Sequence, residues 1–252
     1  MNYWNKLCTR WDKKQLLKMS SGFRILYLLV PLLIHYVAGD LVEVILWAIL
    51  NVIFKDASDS VLVWATTNSA TLQALIYGVG IIVSTLIVFK MAKNEITHVV
   101  DGEKPANLTV LRVFILIVVA LVFSLGLNYV FMQMGLTSNS KIYNEVASSQ
   151  YSVNFMVGLI LYGILSPVAE EIIFRGIIYN RLKRIFPVLL SIVLSALLFG
   201  IFHGNMVQGI YATLMGLIIA LFYEKYESFY APLIIHIVAN LGVYVLSYQV
   251  WK

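Results

Sequence analysis

Charge is scarce in this sequence. Only 12% of the 252 residues are Asp, Glu, Lys or Arg, whereas 60% are hydrophobic, and the mean hydropathy is +0.85. Because about a quarter of the residues in a soluble domain are charged, this chain has too little polar surface to coat a globule in water. The scarcity excludes a cytosolic enzyme and a disordered protein. It predicts a multi-pass membrane protein.

Cysteine and proline are scarce too. The single cysteine, Cys8, cannot form an internal disulfide, and it excludes a multi-cysteine metal cluster. Five prolines are too few to mark a linker between domains, and the sequence shows no internal repeat. We therefore expect a single membrane domain over 1–252, with a basic lead-in at 1–22, variable N-terminal spans at 23–149 and a core at 150–250.

Apolar runs that could cross a bilayer recur along the chain, on the scale of about 20 residues that a membrane helix needs. The runs predicted to cross are 23–39, 72–89, 110–132, 153–180, 188–202, 207–223 and 232–250. A further short run, 44–54, either continues the first span, lies in the interface or crosses. The predicted fold class is therefore all-α: a polytopic transmembrane helix bundle of about seven spans, or eight if 44–54 crosses.

The formal net charge of +5 comes from basic residues that flank the apolar spans. They collect in the first 24 positions, in a predicted loop at 90–109 that holds Lys90, Lys93 and Lys104, and at 181–184. Lysine and arginine in short loops mark the cytoplasmic side of a membrane protein. We expect a cytoplasmic N-terminus and contacts with the lipid bilayer, but no nucleic-acid partner.

Unusual polar residues stand in the last hundred positions. Glu170, Glu171 and Arg175 lie within the 153–180 span, His203 follows the 188–202 span, and His236 lies in the last span with Asn240. A charged residue deep in a span costs several kcal/mol, so such residues usually pair or serve a function.

Helical spacing assigns partners to some of these residues. Glu171 and Arg175 are four residues apart on one helical face, which predicts an ion pair. Glu170 points about 100° away from that face, so it lacks that partner and is suited to act as a general base. His236 and Asn240 also share a face, so both could point into one cavity. The lone His35 is predicted to be a hydrogen-bonded core residue.

Three motifs follow one another in separate spans: Glu-Glu-x-x-x-Arg, Phe-x-x-x-His and His-x-x-x-Asn. In this order they resemble the CPBP family, which holds the type II CAAX prenyl endopeptidases and bacterial homologues linked to bacteriocin immunity or to the processing of signalling peptides. The resemblance covers about residues 150 to 245. It matches at Glu170, Glu171, Arg175, Phe199, His203, His236 and Asn240.

The resemblance implies an intramembrane endopeptidase, with a membrane-associated peptide or protein as its substrate and with 150–250 as its catalytic core. Glu170 and His203 would position and deprotonate a water molecule. His236 and Asn240 would donate hydrogen bonds to the oxyanion. Glu171, Arg175 and Phe199 would support the local structure and orient Glu170.

The resemblance leaves the use of a metal open, because members of this family are also described as metalloproteases. Glu170, His203 and His236 could supply three ligands to a zinc ion. The sequence lacks the compact His-Glu-x-x-His helix that is typical of zinc proteases. We therefore favour a glutamate mechanism without a cofactor.

Two other functions fit the same residues. A transporter could use the buried Glu, Arg and His side chains as a proton relay, although the repeated halves typical of transporters are not visible. A catalytically silent bacteriocin-immunity or peptide-binding protein could use the same scaffold. The substrate could be prenylated, or it could be a leader or signalling peptide. Because the chain is short and shows no extra domains, we expect it in a prokaryotic plasma membrane. The stretch 133–152 is predicted to be an ordinary loop.

Overall fold

The computed structural model describes residues 3–100 and 108–251, which form a bundle of α-helices. In chain order the helices are α1 (Tyr3–Cys8), α2 (Lys13–Lys18), α3 (Ser21–Lys55), α4 (Asp59–Thr67), α5 (Ser69–Val100), α6 (Val110–Gln133), α7 (Lys141–Ser152), α8 (Phe155–Ile185), α9 (Val188–Phe202), α10 (Met206–Tyr226) and α11 (Tyr230–Trp251).

The long helices confirm the predicted polytopic bundle. Among the described residues, α3, α5, α6, α8, α10 and α11 are long and apolar enough to cross a membrane, and α9 is a shorter apolar helix. Their outward-facing side chains are largely apolar, as Val44 and Val122 illustrate with 64% and 61% exposure. Because α3 is unbroken from Ser21 to Lys55, the run 44–54 continues the first span and adds no crossing. The chain is an integral membrane protein.

Two predicted loops are helical instead. The prediction for 133–152 is wrong over Lys141–Ser152, where Ser140 caps α7 by accepting a hydrogen bond from the Tyr143 amide. Ala147 and Tyr151, one turn apart, bury one face of α7. The predicted loop at 90–109 is also wrong at its start, since α5 continues to Val100. Lys104 lies outside the described residues.

The basic lead-in packs against the bundle through a buried charge network. Glu95, 3% exposed, accepts hydrogen bonds from Arg181 at 3.1 Å, Arg184 at 2.8 Å and the Tyr27 hydroxyl at 3.1 Å. Arg181 also donates to the backbone carbonyl of Leu7, in α1, at 2.8 Å. One carboxylate thus joins α5 and α8, and Arg181 extends the network to the lead-in.

Replacing Glu95 by Gln is expected to destabilise the protein. The change leaves Arg181 buried without a counter-charge, and breaking a buried ion pair costs about 3–5 kcal/mol. The matched control is Glu145→Gln, because Glu145 pairs with Lys141 on the surface of α7, where an ion pair contributes less than about 1 kcal/mol. Thermal unfolding in detergent checks the difference. Equal melting temperatures for the two variants would contradict a structural role for Glu95.

Glycines shape the hairpin between α9 and α10. A methyl group on Gly200 would meet the Thr213 side chain and lie 2.5 Å from the carbonyl oxygen of Gly209, so the two helices touch backbone to backbone. Gly204 has φ of +71°, a left-handed conformation that glycine adopts without a steric cost. The tight hairpin ends the short α9 at Phe202, with His203 as the C-cap residue.

Candidate active site

Two wide turns frame the part of α8 that carries the carboxylates. Leu161–Leu165 and Phe174–Tyr179 are π-helical, and the regular segment Ser166–Ile173 lies between them. Pro167, just after the first wide turn, lacks the N–H that a regular helix would use there. Wide turns of this kind occur frequently at functional sites. They set the directions of Glu170 and Glu171 relative to the rest of α8.

The ion pair predicted from helical spacing is present. Glu171 accepts a hydrogen bond from Arg175 at 2.8 Å, and both side chains are fully buried. Arg175 also donates to the backbone carbonyl of Gly216, in α10, at 3.0 Å. The pair therefore ties α8 to α10 as well as holding one turn of α8.

His236 joins both carboxylates. Its Nδ1 lies 2.7 Å from Oε1 of Glu171, and its Nε2 lies 3.6 Å from Oε2 of Glu170. An ionised carboxylate only accepts hydrogen bonds, so Nδ1 carries a proton. The Nε2 atom can then donate a hydrogen bond only when the ring carries both protons.

Glu170 is not bonded to Arg175, in line with the spacing argument, but it is not isolated. The Ser166 hydroxyl donates a hydrogen bond to Oε1 of Glu170 at 2.7 Å. Ser166 was not among the predicted site residues, although its i,i+4 spacing from Glu170 could have identified it. This hydrogen bond from Ser166 fixes the direction of the carboxylate.

Phe199 forms a wall that the polar residues share. The Arg175 guanidinium lies 4.7 Å from the centre of its ring. The edges of His203 and His236 approach the same ring at centroid distances of 4.8 and 5.5 Å. The Phe199 backbone carbonyl lies 2.9 Å from Nδ1 of His203, so Phe199 holds that ring through its backbone as well.

Two cavities meet at the site. The carboxylate cavity, about 270 Å³, is lined by Glu170 and His203 together with His35, Asp40 and Glu43. The second cavity, about 290 Å³, is lined by His203, Asn240 and six tyrosines, and we call it the tyrosine chamber. Three residues line both: Tyr77, Ser166 and His203.

The structure thus distributes the predicted site residues over two adjoining cavities. Glu170 and His203 face one cavity, and no direct hydrogen bond joins them among the described residues. His203 and Asn240 face the other cavity. The ring of His236 lies against Glu171, and His236 is not among the lining residues of either of these two cavities.

His35 matches the prediction of a hydrogen-bonded core residue, since its Nδ1 lies 2.9 Å from the Ser84 hydroxyl. Cys8 is buried in the lead-in, and burial raises the pKa of its thiol. A raised thiol pKa makes it a poor nucleophile at neutral pH.

The predicted zinc ligands do not form a metal site in this conformation. Over 3–100 and 108–251, no three His, Cys, Asp or Glu side chains are arranged to hold a metal ion. In His236, Nδ1 faces Glu171 and Nε2 faces Glu170. Nδ1 of His203 lies against the Phe199 carbonyl. Both rings thus point Nδ1 at a protein oxygen, as histidines that bind a metal through Nε2 also do.

Comparisons with known proteins point to the same region. Residues 152–242 match the family model described as "Type II CAAX prenyl endopeptidase Rce1-like". The "Putative membrane peptidase YdiL" of Bacillus subtilis (strain 168) is 29% identical over 91 residues, which are 36% of this chain and 37% of that relative. The chain thus spans little more than a third of the length of the curated relative. No solved structure matches it. Residues 152–242, which hold all three motifs, are thus similar to the type II CAAX prenyl endopeptidase-like proteins, and this similarity supports the resemblance to the CPBP family.

Proposed function

We propose that this protein is an intramembrane endopeptidase that uses Glu170 and His203 to hydrolyse a peptide bond in a membrane-associated peptide or protein. The observation that carries the proposal is the carboxylate cavity, where both side chains face one space inside the bundle. Its volume of about 270 Å³ has room for several waters, each of which takes about 30 Å³ in the liquid. The polar wall of Asp40 and Glu43 supports a supply of water from outside the bundle.

Glu170 is the general base of the proposed reaction. Its carboxylate takes a proton from the water, and the resulting hydroxide attacks the carbonyl carbon of the substrate. The same proton is then given to the leaving amine nitrogen when the C–N bond breaks. Ser166 donates to Oε1, so Oε2, which lies 3.6 Å from Nε2 of His236, is the atom that takes the proton. His203, which lines the same cavity, positions the water.

Asn240 is suited to stabilise the oxyanion. One N–H of its amide donates to the Tyr162 backbone carbonyl at 3.0 Å, which fixes the amide and leaves its second N–H available. A preorganised donor of this kind stabilises negative charge that develops on the carbonyl oxygen. His236 can add a second donor only as the doubly protonated ring, which makes Asn240 the primary donor in this arrangement.

His203→Gln is expected to lower kcat at least about 100-fold, because misplacing a reacting group by about 1 Å can cost that much. His35→Gln is the matched control, because His35 lines the same cavity but is held by Ser84. Cleavage rates of the purified variants on one peptide test the assignment. Equal losses in the two variants would show that the cavity, and not His203, determines activity.

A further inference from the structure

The tyrosine chamber has a composition that the proposed reaction does not by itself require. Tyr77, Tyr143, Tyr151, Tyr162, Tyr211 and Tyr244 line it. The remaining wall residues include the side-chain amides of Asn128, Gln150 and Gln208. None of its lining residues is Asp, Glu, Lys or Arg. The chamber is therefore aromatic and polar, but it carries no formal charge apart from the titratable His203.

This composition discriminates between kinds of ligand. A charged side chain would enter a partly dry space without a counter-charge, which is costly. A long isoprenoid chain would cover tyrosine hydroxyls and amides without offering them a hydrogen-bond partner, which is costly too. An aromatic side chain stacks on tyrosine rings, while the adjoining peptide groups can pair with the polar wall.

Tyr244 closes one side of the chamber. This residue is 2% exposed, and its hydroxyl is buried against Gly158 of α8. The volume of about 290 Å³ lies at the small end of ligand pockets, a size for side chains and not for a whole protein segment.

We propose that the tyrosine chamber is the subsite for the substrate residue beside the scissile bond, and that it selects an uncharged aromatic side chain. The chamber shares Ser166 and His203 with the cavity of Glu170, so a side chain in the chamber places its own peptide group at the catalytic residues. This inference rests on the proposed function for its place in the reaction. The preference of the chamber for a ligand can be measured without catalysis.

The chamber lies at the α7 end of the bundle. Tyr143, Ala147 and Gln150 of α7 form part of its wall, whereas the buried Glu95 network lies near the opposite end of α8. Substrate would therefore enter under α7. Gln150 is the wall residue on which to test charge selection, because it lies in this short helix, outside the long apolar spans.

The first test measures binding to the inactive Glu170→Gln protein in lipid nanodiscs. N-acetyl-tyrosinamide, N-acetyl-lysinamide and farnesol are titrated as probes. N-acetyl-tyrosinamide is expected to have a dissociation constant at least about tenfold lower than that of N-acetyl-lysinamide or farnesol. Equal affinities, or tighter binding of farnesol, would overturn the proposal whether or not the protein is a protease.

The second test maps cleavage of a proteome-derived peptide library. Wild type is expected to favour Tyr, Phe or Trp at one position beside the cleaved bond. Gln150→Glu should shift that position toward Lys or Arg by about tenfold, because the new carboxylate pairs with a cation. Ser149→Glu, which adds the same charge at an exposed residue that does not line the chamber, should not. Identical profiles for these two variants would overturn the subsite, whereas an absence of cleavage by wild type would overturn the proposed function.

Discussion

Glu170→Gln is expected to lower kcat/KM by about 1,000-fold or more while the protein remains folded, because a general base contributes about 100- to 10,000-fold. Glutamine keeps the size of the side chain and can still accept the hydrogen bond from Ser166. It cannot take a proton from water at neutral pH. Rates on a peptide that wild type cleaves, measured beside thermal unfolding, separate lost chemistry from lost structure.

Glu43→Gln is the matched control for this prediction. Glu43 lines the same carboxylate cavity, but it belongs to α3 and lies outside the three motifs. Its loss is expected to change the rate by no more than a few-fold, because Asp40 remains in the same polar wall. If Glu170→Gln cleaves as fast as Glu43→Gln, then Glu170 is not the base.

Arg175→Met is expected to have the largest effect on stability. It leaves Glu171 fully buried with only His236 beside it, and removing one partner of a buried ion pair costs about 3–5 kcal/mol. It also removes the hydrogen bond to the Gly216 carbonyl that joins α8 to α10. We expect a lower melting temperature in detergent and a lower yield of folded protein.

The double variant Glu171→Gln with Arg175→Met tests the cause of that loss. Removing the second charge should restore part of the stability, since no uncompensated carboxylate remains buried. Catalysis should stay impaired, because Glu171 no longer holds His236 at 2.7 Å through a charged hydrogen bond. A double variant no more stable than Arg175→Met would show that the lost hydrogen bond to Gly216, and not the unpaired charge, destabilises the protein.

The helices that span the membrane could be predicted because the bilayer imposes a length and an apolar composition on each of them. The Glu171–Arg175 pair followed from spacing along one helix. Helix α7 could not be predicted in this way, because it is too short and polar to stand out by hydropathy. Its identity rests on the Ser140 cap and on two buried residues one turn apart.

Contacts between residues that are far apart in the chain could not be predicted from the sequence either. His236 bonds to Glu171 across 65 positions, and Arg181 bonds to Glu95 across 86. Helical periodicity gives the face on which such a residue lies, but not which neighbouring helix packs against that face. The position of His236 between the two carboxylates, for example, could not be derived from the helical face that it shares with Asn240.

The most direct test of the account compares membranes of cells that make wild type or Glu170→Gln at matched abundance. New peptide termini are mapped by mass spectrometry. We predict termini that occur only with wild type and that flank an uncharged aromatic residue, which would establish proteolysis and name a substrate together. Identical sets of termini in the two membranes would contradict the proposed endopeptidase and favour a binding or immunity role for the same scaffold.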